Sequence, residues 1–237
     1  MGKKALKKVI GTLLFLATGS LTTHAQYSLG TVGGLNIPTA EMNETGTFML
    51  GGNFLPDRMN PFGYNTGNYF ANFTLFSFVE LTYRETLLKT RYMTRKPKFN
   101  QQDRSLSVRV RLLKEKKYLP ALVIGANDPV KDLGNNYFRG FYGTVTKHID
   151  LKGHELGVTL GYMGWTSDRN VLRNGVFGGV SYRPVFCRPL CVIAEYDTRN
   201  FNVGLTAKLW NHVSLYAFTS QFDCIAGGLR FECTLIH

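Results

Sequence analysis

Alternation of apolar and polar residues over many short segments constrains the fold of this chain more than any other feature. In residues 104–113, RSLSVRVRLL, Leu106, Val108, Val110 and Leu112 take one set of alternate positions, while serines and arginines take the other. Successive side chains of a β-strand point to opposite faces, so the segment predicts a strand with one apolar and one polar face. The apolar face could meet either a protein core or lipid.

Similar strand signals recur along the chain, for example in VELTYRETL at 79–87 and LCVIAEYD at 190–197. We predict an all-β chain of about twelve strands, at 45–55, 68–76, 78–88, 103–113, 119–127, 136–149, 153–165, 175–183, 190–197, 201–208, 213–220 and 225–236. An even strand number is typical of single-chain bacterial outer-membrane barrels.

The predicted connections differ in length between the two ends of the strands. Those after odd-numbered strands include the long segments 55–67, 88–102, 128–135 and 166–174, whereas those after even-numbered strands are short. A soluble sandwich would have similar loops at both ends, but transmembrane barrels have long outer loops and short periplasmic turns. We therefore predict a single antiparallel transmembrane β-barrel, with Tyr162, Trp165, Tyr182 and Trp210 in its interfacial aromatic girdles.

Residues 1–25 have the pattern of a cleaved secretory signal peptide. Four lysines precede an apolar run, and Thr23-His24-Ala25 stands before the predicted cut. We expect a segment 26–44 that lies in the periplasm or enters the lumen, followed by a barrel at 45–237, in the outer membrane of a Gram-negative bacterium. The chain after the cut has 24 basic and 16 acidic residues, a net charge of +8.

Three stretches resemble the YjbH-like family of outer-membrane barrel proteins linked to exopolysaccharide biosynthesis and secretion. They are QYSLGTVGGLNIPTAEMNETGTFMLGG at 26–52, FVELTYRETLL at 78–88 and DRSLSVRVRLLKEKKYLPALVIGANDPV at 103–130. The resemblance implies assistance in exporting an extracellular polysaccharide, as a conduit or a docking platform, beside periplasmic or lipoprotein components of an export system. It implies no catalytic residue.

The predicted polar face places charged side chains in the lumen, which would leave roughly 10–14 Å between opposing side chains in a twelve-stranded barrel. Guanidinium groups bind carboxylates or phosphates bidentately, so an anionic polysaccharide is a candidate ligand. The alternative is that lumen acids and bases pair with one another and hold the barrel shut. The lumen candidates are Arg109, Arg111, Arg84, Glu80, Arg183, Lys208 and Arg230, of which Arg109 and Arg111 are the strongest for polymer binding.

The predicted outer loop 88–102 is strongly basic and has no acidic residue. Its anion-binding candidates are Lys89, Arg91, Arg95, Lys96 and Lys98. Such a run attracts acidic sugars, and equally the anionic groups of outer-membrane lipid and lipopolysaccharide. We expect no nucleic-acid partner for an exported barrel.

The sequence contains only weak signals for catalysis or for metal binding. His148, His154 and His212 are scattered and no serine-nucleophile motif accompanies them, so we predict no enzyme, no cofactor and no metal site. The alternatives to polysaccharide export are a general porin-like or structural barrel and a lipid-modifying barrel enzyme. Cys187 and Cys191 could be bridged or free.

Overall fold

The described residues, 27–130, 137–166, 173–210 and 212–235 of a computed structural model, form a closed antiparallel barrel. The predicted signal peptide lies outside them. They contain twelve strands and one short 3₁₀ turn, Asp57–Met59. None of their helices has the length and apolar character needed to cross a membrane. The all-β barrel prediction is confirmed.

The twelve strands follow one another around the barrel in chain order. They are β1 (Thr47–Leu55), β2 (Thr66–Phe76), β3 (Val79–Thr90), β4 (Lys98–Leu113), β5 (Ala121–Asn127), β6 (Gly140–Leu151), β7 (His154–Trp165), β8 (Gly175–Arg183), β9 (Leu190–Tyr196), β10 (Phe201–Leu209), β11 (Val213–Ser220) and β12 (Cys224–Thr234).

The barrel closes because β12 pairs antiparallel with β1. Their register runs from Thr47 opposite Thr234 to Phe54 opposite Gly227. Closure pairs the backbone groups of the two strands that would otherwise be sheet edges, which removes the sites where another chain could add a strand.

The two faces of the wall follow the predicted alternation. In β4, Ser105, Ser107 and Arg109 point inward and are buried, with Arg109 only 1% exposed. Outward on the same strand, Leu112 is 52% exposed. Outward leucines, valines and aromatics recur on the other strands, so the outer wall is apolar and the interior carries the polar side chains.

The described parts of the connections after odd-numbered strands form one rim of the barrel, here called the long-loop rim, at 56–65, 91–97, 128–130, 137–139, 166, 173–174, 197–200 and 221–223. The described parts of the other connections form the short-turn rim, at 77–78, 114–120, 152–153, 184–189, 210 and 212. The predicted long loop 88–102 is wrong in its bounds. β3 and β4 continue their pairing to Thr90 opposite Lys98, so the loop contains only residues 91–97.

One predicted girdle residue faces the other way. Tyr162, Tyr182 and Trp210 are exposed, at 56%, 37% and 64%. Trp165 instead lies half-buried at the end of β7 and packs against the buried interior cluster that contains Tyr27, Leu29 and Phe138. The reason is strand parity, because Trp165 is two positions from the inward, buried Met163.

Candidate functional site: the plugged barrel interior

The interior of the barrel is filled by the chain's own N-terminal segment, residues 27–44, which we call the plug. Val32 and Leu35 are fully buried in it, and Tyr27 and Ile37 are 3% and 2% exposed. The plug begins near the long-loop rim, where Tyr27 and Leu29 pack with Phe138. It ends at the short-turn rim, from which β1 starts. The predicted gap between opposing lumen side chains is therefore occupied by protein.

Within the lumen the plug folds back on itself in a tight turn. Gly33 pairs with Pro38 in an isolated antiparallel bridge, and the Gly34 amide donates to the Ile37 carbonyl at 2.8 Å. The glycine-rich GTVGG stretch serves close packing. Gly30 has φ +93°, and a Cβ there would lie 2.6 Å from Cγ of Phe70. Only glycine meets both requirements without strain.

Glu195 of β9 binds the turn from the barrel wall. Its carboxylate accepts the Leu35 amide at 2.8 Å and the Asn36 amide, and it also accepts Nδ2 of Asn202 at 3.2 Å. Asp197 adjoins it and accepts Nδ2 of Asn36 at 2.6 Å. Two plug amides that would otherwise be buried without partners are thus satisfied by one wall carboxylate.

Arg109 of β4 also binds the plug, but as a hydrogen-bond donor to backbone carbonyl groups, whereas Glu195 is an acceptor. Its guanidinium donates to the carbonyl oxygens of Val32, Thr39 and Glu41, the Thr39 bond measuring 2.8 Å. Glu80 of the neighbouring strand lies 3.9 Å from the Arg109 Nε. The polar side chain chosen as the strongest polymer-binding candidate is therefore surrounded by backbone oxygens of the plug.

Glu80 completes this arrangement on β3. Its Oε1 accepts the Val32 amide at 3.3 Å and Nδ2 of Asn72 at 2.8 Å. Both Glu80 and Arg109 are no more than 1% exposed. This buried acid and base, which share Val32 as a plug partner, fix the plug's position, because moving it would remove the Val32 amide from Glu80 and three carbonyl acceptors from Arg109.

A histidine links the plug to the short-turn rim. His148 Nε2 lies 3.0 Å from Glu41 Oε1, and its Nδ1 lies 2.7 Å from Glu115 Oε2 in the turn after β4. Lys147 donates to Glu115 at 2.8 Å. Burial by itself raises the pKa of Glu115, but the hydrogen bonds from Lys147 and His148 outweigh it and leave the pKa below its ordinary value.

The other lumen candidates are also engaged with protein groups. Arg84 donates to Ser105 at 2.7 Å, and its guanidinium stacks over the Phe138 ring at 4.7 Å. Arg183 pairs with Glu155. Lys208 and Arg230 both pair with Glu232, Arg230 at 3.0 Å. These candidates therefore contact separate groups of the protein and do not form one continuous polymer-binding surface.

Arg111 differs from the rest because it lies at the short-turn mouth and is half-buried. It lines a pocket there with Lys114, Glu115 and His148. Arg109 and Arg111 share a strand face as predicted, but they face different surroundings, one the plug and the other the mouth. A polymer-binding role for either stays a prediction.

The outer-loop candidates lie on a protruding hairpin. Lys89 belongs to β3 and Lys98 to β4, while Arg91, Arg95 and Lys96 form the exposed tip. The Lys89 Nζ lies 5.1 Å from the Tyr64 ring and 4.8 Å from the Phe99 ring, which positions the base of the hairpin. All five cations are exposed and accessible to an anionic surface.

Among the described residues no group of three histidine, cysteine or acidic side chains could hold a metal ion. The four cysteines are free thiols, which answers the open question about Cys187 and Cys191. His154 lies beside the Tyr182 hydroxyl at 2.7 Å, and His212 lies 3.0 Å from the Glu232 carbonyl oxygen.

Sequence reasoning missed Glu195 and its contacts with the plug. It also missed the role of the glycines at 30–34. A usable signal was present: an acidic residue on an inward position two residues from Asp197, near the long-loop rim, has to find buried donors, and a glycine-rich segment without alternation is a suitable source of backbone amides.

This interior defines a class of protein, a closed β-barrel plugged by its own N-terminal segment. The chain belongs to the YjbH family, described as "Exopolysaccharide biosynthesis protein YbjH", whose family model matches residues 25–224. The resemblance recognised in the sequence is confirmed.

One curated relative is named "Uncharacterized lipoprotein YjbH", from Escherichia coli (strain K12). It is 26% identical to this chain over an aligned region that covers 84% of this chain and 32% of the relative. The chain therefore spans about a third of the length of that relative.

Proposed function

We propose that the protein is an outer-membrane β-barrel that assists exopolysaccharide export as a docking platform, with its lumen held closed by the plug. The observation that carries the proposal is the burial of the lumen charges. Glu80, Arg84, Arg109 and Arg230 are each no more than 1% exposed, so neither water nor a polymer reaches them in this structure. A sugar chain could pass only after the plug left the lumen.

The membrane part of the proposal is supported by the outer wall. Large apolar side chains point outward on every side of the barrel, including Leu50 at 53%, Phe141 at 50%, Leu160 at 56% and Leu229 at 51% exposed. Monomeric soluble proteins rarely expose apolar surface of this extent, whereas a barrel in lipid requires it. The basic hairpin tip at 91–97 would then meet lipopolysaccharide phosphates or acidic sugars.

A surface for periplasmic partners is offered by the turn between β4 and β5. Tyr118 and Leu119 are 83% and 53% exposed there, and the Lys116 amide donates to the Leu119 carbonyl at 2.9 Å, which shapes the turn. Exposed aromatic and aliphatic side chains on a shaped turn are typical anchors of protein interfaces. The proposal assigns no catalytic step to the protein.

An experiment that locks the plug in the lumen distinguishes a docking platform from a conduit for the polymer. Ala40 of the plug donates its amide to Thr146 Oγ1 of β6 at 2.8 Å, so these adjoining positions are the pair we select for an engineered disulfide. We would make Ala40→Cys with Thr146→Cys in a background in which the four native cysteines are alanine. The variant would be expressed in the native organism after deletion of its own copy of the gene, and polysaccharide secretion would be measured.

If the protein is a docking platform, cells in which the engineered disulfide locks the plug should secrete the polysaccharide normally. Loss of secretion on locking, restored by a reductant, would identify a conduit and overturn the proposal. The two single-cysteine variants control for the substitutions themselves.

The partner surface is tested by a second set of variants in the same cells. Tyr118→Ser with Leu119→Ser should lower secretion while the barrel remains folded and heat-modifiable. Phe222→Ser is the matched control, since Phe222 is 80% exposed at the opposite rim. Equal secretion by both variants would contradict docking at this turn.

A further inference from the structure

A shallow cleft opens at the long-loop rim directly above the plug. Its floor contains the plug residue Tyr27, and its walls include Phe138 and Trp165. Exposed arginines border its mouth, namely Arg58, Arg173 and Arg199. None of these residues is used by the contacts that hold the plug to the wall, apart from packing of the aromatic rings.

The aromatic part of the cleft is rigid. Phe138 is 3% exposed, with Arg84 stacked beneath it at 4.7 Å and Phe62 edge-on at 6.1 Å. Trp165 is half-buried, and its backbone amide donates to Oδ1 of Asn174 at 2.6 Å. A preformed aromatic surface can cover the apolar C–H face of a sugar ring with little loss of conformational entropy.

The arginines are held at this position by the turn after β9. Thr198 Oγ1 donates to the Arg173 carbonyl at 2.9 Å, which ties Arg173 to the segment that carries Arg199. Asp197 Oδ1 accepts the amides of Arg199 at 3.2 Å and Asn200 at 2.8 Å, which fixes the turn itself. Two arginines that line the cleft are thus carried by neighbouring segments that a hydrogen bond joins.

The charge of the lining favours an anion. Its charged side chains are three arginines and one acid, Asp197. Asp197 is already hydrogen-bonded to Asn36 and Asn202, at 2.6 and 3.0 Å. Arg58 pairs with Asp223 at 2.7 Å, but both side chains are more than half exposed, so water and an incoming carboxylate can exchange with that pair.

We propose that this cleft binds an acidic sugar residue, with a ring carboxylate on Arg173 and Arg199 and the sugar ring against Trp165. Charge-assisted, bidentate bonds from guanidinium to carboxylate supply the specificity, and the aromatic wall supplies the contact area. The inference rests on the proposed function, because it names the class of polymer that the protein holds at its long-loop rim.

The chain carries its own reporter for a binding experiment. It has two tryptophans, and the second, Trp210, is exposed at the opposite rim, so Trp210→Phe leaves Trp165 as the single fluorophore. The detergent-solubilised protein would be titrated with trigalacturonate, with neutral maltotriose and with inorganic phosphate. We expect a saturable fluorescence change with trigalacturonate and none with maltotriose.

Variants then assign the response to the cleft. Arg173→Gln with Arg199→Gln should weaken the apparent affinity for trigalacturonate by about tenfold or more, since two charge-assisted hydrogen-bonding groups are removed. Arg91→Gln with Arg95→Gln removes the same charge from the hairpin tip on the same rim and should weaken it by less than about threefold. All four arginines are exposed, so neither pair threatens the fold.

Three outcomes would overturn the proposal. The first is no saturable fluorescence change with trigalacturonate, and the second is an equal loss of affinity in the two variant pairs. The third is a saturable change with inorganic phosphate equal to that with trigalacturonate at the same concentration of ligand charge. The last would identify a phosphate site instead of a saccharide site. A wrong proposal for the cleft can be distinguished from a wrong proposal for the docking platform, because secretion with a locked plug is measured independently of sugar binding.

Discussion

Replacing Arg109 by methionine tests whether the barrel wall holds the plug. Methionine has a similar length and leaves little cavity, so the main loss is polar. The wild-type guanidinium donates to three plug carbonyls and lies 3.9 Å from Glu80. Without it, those carbonyls and the Glu80 charge stay buried with fewer partners.

The magnitude follows from these contacts. Hydrogen bonds to charged groups contribute about 1.5–3 kcal/mol each but are not additive. Removal of one partner from a buried ion pair costs about 3–5 kcal/mol. We therefore expect Arg109→Met to weaken plug docking by about 3–4 kcal/mol, the lower part of that range because Glu80 keeps its bond from Asn72. This corresponds to a 10²–10³-fold larger open fraction at about 1.4 kcal/mol per factor of ten.

Amide hydrogen exchange in detergent micelles measures this open fraction directly. Peptides covering residues 27–44 should exchange about 10²–10³-fold faster in Arg109→Met than in the wild type, unless exchange reaches the limit set by unprotected amides. Arg104→Met is the matched control. Arg104 lies on the same strand but outward, 64% exposed, and pairs with Glu85 at 3.7 Å, so its loss should change plug exchange by less than about twofold.

Two results would refute the reasoning. Unchanged plug exchange in a folded Arg109→Met barrel would mean that the plug is held without this guanidinium. Equal acceleration in the plug and in peptides from β8 to β10 would mean that Arg109 stabilises the barrel as a whole and not the plug in particular.

Two further predictions concern the plug's packing and its rim contact. Gly30→Ala should raise plug exchange by about tenfold or more, because overpacking against Phe70 costs about 1–3 kcal/mol, whereas Gly63→Ala, at φ +69° with nothing within 4 Å of its Cβ, should leave plug exchange unchanged. For Glu115, the lowered pKa means that its contribution to stability is present above its ordinary pKa of 4.5 and is lost as pH falls through the lowered value. Denaturant unfolding should therefore show wild type more stable than Glu115→Gln at pH 7 with the difference vanishing in acid, while Glu44→Gln, at an exposed carboxylate, shows no such difference.

The sequence predicted the wall of this protein well because a strand's face pattern is local. Backbone stereochemistry sends Arg109 and Leu112 to opposite sides whatever the rest of the chain does. All twelve predicted strands overlap the observed ones, and the end bounds differ most at β4, whose pairing with β3 runs on past the predicted loop. The polar residues at 98–102 carry no apolar alternation, so nothing local marks them as strand.

The contacts between the lumen charges and the plug depend on closure of the barrel. The alternation by itself determined an all-β chain with an apolar outside and charges inside, and the short motifs determined its family. Only the tertiary structure decided what those charges contact. Leu35 meets Glu195 across 160 residues of sequence, and Val32 meets Arg109 across 77. Such pairs form only when twelve strands surround the plug, because buried amides, carbonyls and charges take whichever partners the closed lumen brings within hydrogen-bonding distance.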